Sequence, residues 1–207
     1  MTDKKIIFFA LILSVVIVGG GWYYNSHQRA TEESPTPSPT VSEPGAVLGN
    51  PDAPVVIEEY TNLLCSACAY FQTNAFHQIN EAYIKTGKVK LVVYVLPPYE
   101  TSQAALCALE QKKFFDYTDY AFTHQAEISE EQDLKDFAVN AGLNEQKFND
   151  CYASENIQER AQKWNEEGKA RGVTATPIFF INGQKFIGAQ PFAEFQKIIE
   201  EKLSETK

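Results

Sequence analysis

Two cysteines two residues apart, Cys65-Ser66-Ala67-Cys68, sit where a strand-like run gives way to a helical one. That junction constrains the fold more than any other feature of the chain. Pro54-Val55-Val56-Ile57-Glu58-Glu59-Tyr60 reads as a strand, and Ala69-Tyr70-Phe71-Gln72-Thr73-Asn74-Ala75-Phe76 reads as a helix. Thiols at a helix start can close a small disulfide, and the unpaired N–H groups there favour the thiolate of the first. Zinc sites share the spacing, so the CxxC alone decides nothing. Its place between strand and helix points to redox chemistry.

A second signal lies more than a hundred residues on. In Gly172-Val173-Thr174-Ala175-Thr176-Pro177-Ile178-Phe179-Phe180-Ile181-Asn182-Gly183, a Thr-Pro precedes an apolar strand and an Asn-Gly turn. Together with the CxxC this resembles the thioredoxin superfamily, in which a cis-proline loop faces the CxxC and pairs with the incoming substrate. The resemblance implies a cis Thr176–Pro177 bond, with Thr176 supplying main-chain contacts. The closer resemblance is to the DsbA-like branch of extracytoplasmic thiol–disulfide oxidoreductases. It is carried by Gly49-Asn50-Pro51-Asp52-Ala53-Pro54, similar to that branch's entry motif. Ala105-Leu106-Cys107-Ala108, with Gln111 and Phe114-Phe115, is similar to its inserted helical domain. The likeness runs from about Leu48 to Leu203, with two departures. Ser66-Ala67 replaces the Pro-His of the strongest oxidants, and Asn62 stands where an acidic residue is common.

The implied fold class is α/β: a thioredoxin fold with an inserted helical domain, preceded by one N-terminal transmembrane helix. The expected boundaries are a cytoplasmic N-terminus at 1–5, a transmembrane anchor at 6–24 and a Pro/Ser/Thr-rich linker at 25–46. The thioredoxin-like domain takes 47–98 and 172–207, and the helical insertion 99–171. The anchor rests on Lys4 and Lys5 ahead of an uncharged run, Ile6 to Tyr24, about long enough to span a bilayer. A cleaved signal peptide is the competing reading, and both export everything that follows. Repeated Pro with Ser and Thr between Thr31 and Pro44 cannot build a core and favours an extended spacer. At 207 residues and 44% apolar, the chain can bury one ordinary core. Its net charge of −9 disfavours nucleic acid as a partner.

Lys88 to Leu96 reads as a second buried strand, parallel to the first because the CxxC helix connects them. Ile178–Ile181 and Lys185–Ile187 should pair around Asn182-Gly183. Phe192, Phe195, Ile198, Ile199 and Leu203 mark a closing amphipathic helix. Between Tyr99 and Gly172 the pattern is helical. Ser129 with Gln132 reads as a capping box, Leu134, Phe137, Ala138 and Ala141 as the stripe behind it, and Gly142 as its stop. Ile157, Ala161 and Trp164 mark another helix, before Gly168 and Gly172.

Cys65, at the helix start, is the expected nucleophile, and Cys68 resolves the mixed disulfide. A purely structural Cys65–Cys68 bond would remove little unfolded-state entropy, because its loop is so short. The resemblance places a buried acid at Glu59, beneath the CxxC, relaying a proton to or from Cys68. Strand alternation allows only one of Glu58 and Glu59 to face inward, and Glu59 is favoured. Cys107 and Cys151 pair as a structural disulfide in an exported protein, with a second redox pair as the alternative. No cofactor beyond the Cys65–Cys68 disulfide, and no metal, is expected. His77 and His124 read as ordinary helix residues.

The leading function is a thiol–disulfide oxidoreductase of exported proteins, on the outer face of a bacterial plasma membrane. Its implied partners are reduced or unfolded exported proteins and a membrane quinone-linked thiol oxidase. Reductase or isomerase work on the same fold stays open. A thiol-based copper carrier and a non-catalytic chaperone on the same frame are the other classes.

Overall fold

The structure is a computed structural model that describes residues 43–205. The expected transmembrane segment at 6–24, and the linker as far as residue 42, lie outside the described residues. Among the described residues no helix is long and apolar enough to cross a membrane.

Five strands form one sheet: β1 (Ala46–Gly49), β2 (Val55–Thr61), β3 (Val89–Val95), β4 (Ile178–Ile181) and β5 (Gln184–Ile187). Their order is β1-β3-β2-β4-β5. Only β2 and β3 are parallel, with Ile57 beside Leu91 and Glu59 beside Val93. The connection between them is a long helical segment, α1 (66–84), which alternates α-helical turns with two π-helical ones, Gln72–Phe76 and Asn80–Ile84. The remaining pairs are antiparallel, including the β4–β5 hairpin across Asn182-Gly183.

The helical block is α2 (Tyr99–Glu110), α3 (Phe114–Thr123), α4 (Glu131–Asn140), α5 (Glu145–Tyr152) and α6 (Glu155–Ala170), and α7 (Phe192–Glu205) closes the chain. Both faces of the sheet are covered. On one, Phe71 of α1 packs 4.7 Å from Phe179 and 5.3 Å from Phe195 between ring centroids. On the other, Tyr60 stacks on Tyr94 at 4.8 Å, and Trp164 of α6 meets Tyr94 edge-on at 5.9 Å. Such aromatic pairs add to what their burial already contributes.

Three expectations are corrected. The folded part begins before residue 47. Glu43 already binds α6, its Oε1 2.7 Å from Arg160 Nε, and its backbone N–H donates to Glu167 Oε1 at 3.3 Å. Gly45 follows with no room for a side chain, since a Cβ there would lie 2.7 Å from Val92 and 2.9 Å from Tyr94. The chain therefore drops flat against β3 and enters β1. The capping box is not Ser129 with Gln132. Glu130 is the N-cap and Asp133 the reciprocal partner, because Asp133 accepts from the N–H groups of both Ser129 and Glu130. Finally, α6 does not stop before Gly168 but runs to Ala170. Gly168 is there because α6 crosses Tyr60 closely: a Cβ would sit 3.2 Å from its ring.

Candidate active site

β2 ends at Thr61, and the chain turns over Asn62, Leu63 and Leu64 into α1. The turn is tied from several sides. Asn62 accepts the Leu64 N–H at 2.7 Å through Oδ1, and its amide donates to the Pro97 carbonyl. Gln125, just past α3, donates to the carbonyls of Leu63 at 2.6 Å and Cys65 at 3.1 Å. These bonds set Cys65 as the N-cap of α1, with extended backbone at φ −88° and ψ 117°.

The two thiols of the CxxC are free, and their settings differ. Cys65 is partly exposed, whereas Cys68, one turn in, is fully buried. Burial opposes the Cys65 thiolate. It is outweighed by the Thr176 and Cys68 side chains and by the backbone N–H groups of Cys68 and Ala67, so its pKa lies below that of an ordinary thiol. Burial pushes the Cys68 thiol up to about 12. The pair thus has one thiol suited to ionise and one that holds its proton.

The loop after α6 comes over the thiols. Its Thr176–Pro177 bond is cis, as is Pro97–Pro98 on the far side of the turn. The Cys65 Sγ donates to the Thr176 carbonyl at 3.3 Å. Beside them runs an open groove of about 680 Å³, edged by Asn62, Pro97, Tyr99, Lys169, Thr174 and Thr176. Arg171 roots this loop on the sheet. It holds Glu58 bidentately at 2.6 and 2.8 Å, donates to the Tyr60 hydroxyl at 2.9 Å and lies over the Phe180 ring at 4.1 Å.

Glu58 is therefore on the far face of β2, and Glu59 is turned inward with 3% of its surface exposed. Burial raises the Glu59 carboxyl from 4.5 to about 8, a setting in which it can hold or release a proton near neutrality. A cavity of about 10 Å³, with room for about one water, lies against Glu59, Thr61 and Gln72. Cys107 of α2 and Cys151 of α5 lie away from this site, joined by a disulfide. Among the described residues no group of three or more His, Cys, Asp or Glu gathers as a metal site would require. Sequence reasoning passed over Thr61, Asn62, Gln125 and Arg171 as parts of the site. For Thr61 the signal was there, since it shares a strand face with Glu59 two residues earlier.

A thioredoxin-like sheet carrying a CxxC at a helix start, opposite a cis-proline loop, defines the class. A family model described as Thioredoxin matches residues 41–201, and the chain belongs to that family. Within it, the chain is similar to the solved alpha-DsbA1 of Wolbachia pipientis. The two are 25% identical with a TM-score of 0.70, over 79% of this chain and 94% of that one. Chlamydia trachomatis DsbA shares the fold at a TM-score of 0.70 and 22% identity, over 81% of this chain and 94% of that one. Among curated relatives, a Rickettsia bellii protein provisionally named a protein-disulfide oxidoreductase is 27% identical, over 69% of this chain and 59% of its own length. A stretch of the Mycolicibacterium gilvum protein named Na(+)/H(+) antiporter NhaA 1 is also 27% identical, over 74% of this chain and 26% of that protein. The chain spans less than two thirds of the length of either relative.

Proposed function

We propose that this chain is an extracytoplasmic thiol–disulfide oxidoreductase that introduces disulfides into exported proteins through Cys65 and Cys68. The observation that carries it is the division of labour at the CxxC: an accessible thiol with a lowered pKa above a buried thiol with a raised one. A client thiolate attacks Cys65 of the oxidised pair and Cys68 leaves. A second client thiol then takes the client sulfur, freeing the new client disulfide and reduced Cys65. Thr176 lines the groove with its backbone beside Cys65, where a client strand would pair. The proposed setting is the outer face of a bacterial plasma membrane, with residues 6–24 as anchor. A membrane quinone-linked oxidase reoxidises the pair there.

Cys68→Ser should trap clients as mixed disulfides on Cys65, and a glutathione redox titration should show a couple well above thioredoxin's. Trapping through Cys68 in Cys65→Ser would reverse the assignment. A potential near −270 mV would make the protein a reductase.

A further inference from the structure

Thr61 is a buried polar side chain whose hydroxyl bears on both proton-holding groups of the site, Glu59 and Cys68. It projects from the same face of β2 as Glu59, and the two are 1% and 3% exposed. Its side chain favours the charged forms of both the Glu59 carboxyl and the Cys68 thiol, lowering the pKa of each against the burial that raises it. Yet Oγ1 completes no hydrogen bond of normal geometry with any protein group. A buried hydroxyl left in this state costs on the order of 1–3 kcal/mol, where a valine of the same shape would cost nothing of the kind. Buried polar atoms of this sort ask for a reason. A hydroxyl both donates and accepts, and it can turn from one neighbour to the other without moving the strand. The same hydroxyl lines the small cavity with Glu59 and Gln72.

We propose that the Thr61 hydroxyl is the bridge along which the proton passes between Cys68 and Glu59. This rests on the oxidoreductase reading above. When a client thiolate breaks the Cys65–Cys68 bond, Cys68 leaves as a thiolate. It takes the Thr61 hydroxyl proton as Thr61 takes the proton of the Glu59 carboxylic acid, leaving a Cys68 thiol and a Glu59 carboxylate. In the reverse sense, the Cys68 proton moves to Thr61 as the Thr61 proton moves to the Glu59 carboxylate. The Cys68 thiolate then attacks Cys65 and expels the client thiolate.

Few other charges bear on this path. Cys65 interacts with Cys68 at the helix start, and Asp119 of α3 accepts from Gln72 at 3.5 Å. β3 offers the cavity only Leu91 and Val93, α3 only Phe114, Phe115, Thr118 and Phe122, and Glu58 lies across the sheet.

The test follows reduced full-length protein mixed with excess oxidised glutathione, by rapid quench. It reads the rate at which Cys68 releases glutathione from Cys65. In wild type this rate should fall as pH drops below about 8, where Glu59 becomes protonated. Thr61→Val should slow release about tenfold or more at pH 8 and lose that inflection, rising instead toward the higher pKa of the Cys68 thiol. Thr61→Ser, which keeps the hydroxyl, should restore both rate and profile. A Thr61→Val profile identical to wild type, or uniformly lowered at every pH, overturns the bridge while leaving the oxidoreductase reading intact. Should Thr61→Val not fold, a proton inventory on wild type decides instead: curvature from two protons in flight supports the bridge, and a linear inventory overturns it. Wild type that forms no mixed disulfide at Cys65 overturns the oxidoreductase reading and the bridge with it.

Discussion

The described residues around Cys65 favour its thiolate through hydrogen bonds. The causes of its lowered pKa are Thr176, Cys68 and two backbone N–H groups, set against burial. Adding charge should therefore move the couple in a predictable sense. Ala67→His places a cation beside the sulfur and should lower the Cys65 pKa and make the couple more oxidising. Asn62→Asp keeps the acceptor for the Leu64 N–H but adds a negative charge, and should do the opposite. Thiolate absorbance and glutathione titrations on both variants read the two shifts. Glu59 gives a second prediction. Its carboxyl ionises near 4.5 when exposed and near 8 in the fold, so the folded state holds a proton that the unfolded state gives up. Stability should fall as pH rises from about 4.5 to about 8 and then level off. Glu59→Gln should remove that slope and be the more stable by on the order of 3 kcal/mol at pH 7, measured by urea unfolding across pH.

At the scale of elements, the loop that carries Pro177 is held to the sheet by Arg171, with Lys185 donating to the Gly172 carbonyl. Arg171 is 3% exposed and its Glu58 partner 21%. Removing the cation alone strands a part-buried carboxylate and leaves the Tyr60 hydroxyl without its donor. Arg171→Leu should thus lose about 3 kcal/mol, and the Glu58→Leu/Arg171→Leu pair should lose less, a reversal that urea melts would detect. Elements of this kind mark where the sequence could be read and where it could not. β2, β3, the β4–β5 hairpin and α7 announce themselves through β-branched runs, an Asn-Gly turn and a helical apolar stripe, all local signals. β1 has only Ala46 to Gly49, too short for any period, and exists because Gly45 lets the chain lie on Tyr94. The end of α6 was misplaced for a related reason: Gly168 reads as a stop until Tyr60 is seen beneath it. The CxxC and the Thr-Pro stand out as motifs, whereas the ties from Gln125 and Arg171 join positions far apart in sequence. No spacing encodes them.

At the scale of the whole molecule, the helical block is stapled by Cys107–Cys151 across 44 positions. A loop of that length gives about 4 kcal/mol in the chain-entropy treatment. Cys107→Ala/Cys151→Ala should lower unfolding stability by about that much and leave the Cys65–Cys68 potential unchanged. A matching shift in potential would show instead that the two pairs communicate. The clamp at Glu43 has a mechanical consequence. β1 is an edge strand of four residues, the kind that peels first when a chain is tugged from its nearer end. Glu43 stands upstream of it, gripped by Arg160 and Glu167 of α6. Any pull arriving from the N-terminal side is met by that grip and passed into a sixteen-residue helix before it can load the strand. The Glu43 grip thus puts a helix, and not the edge strand, first in line for a load applied upstream.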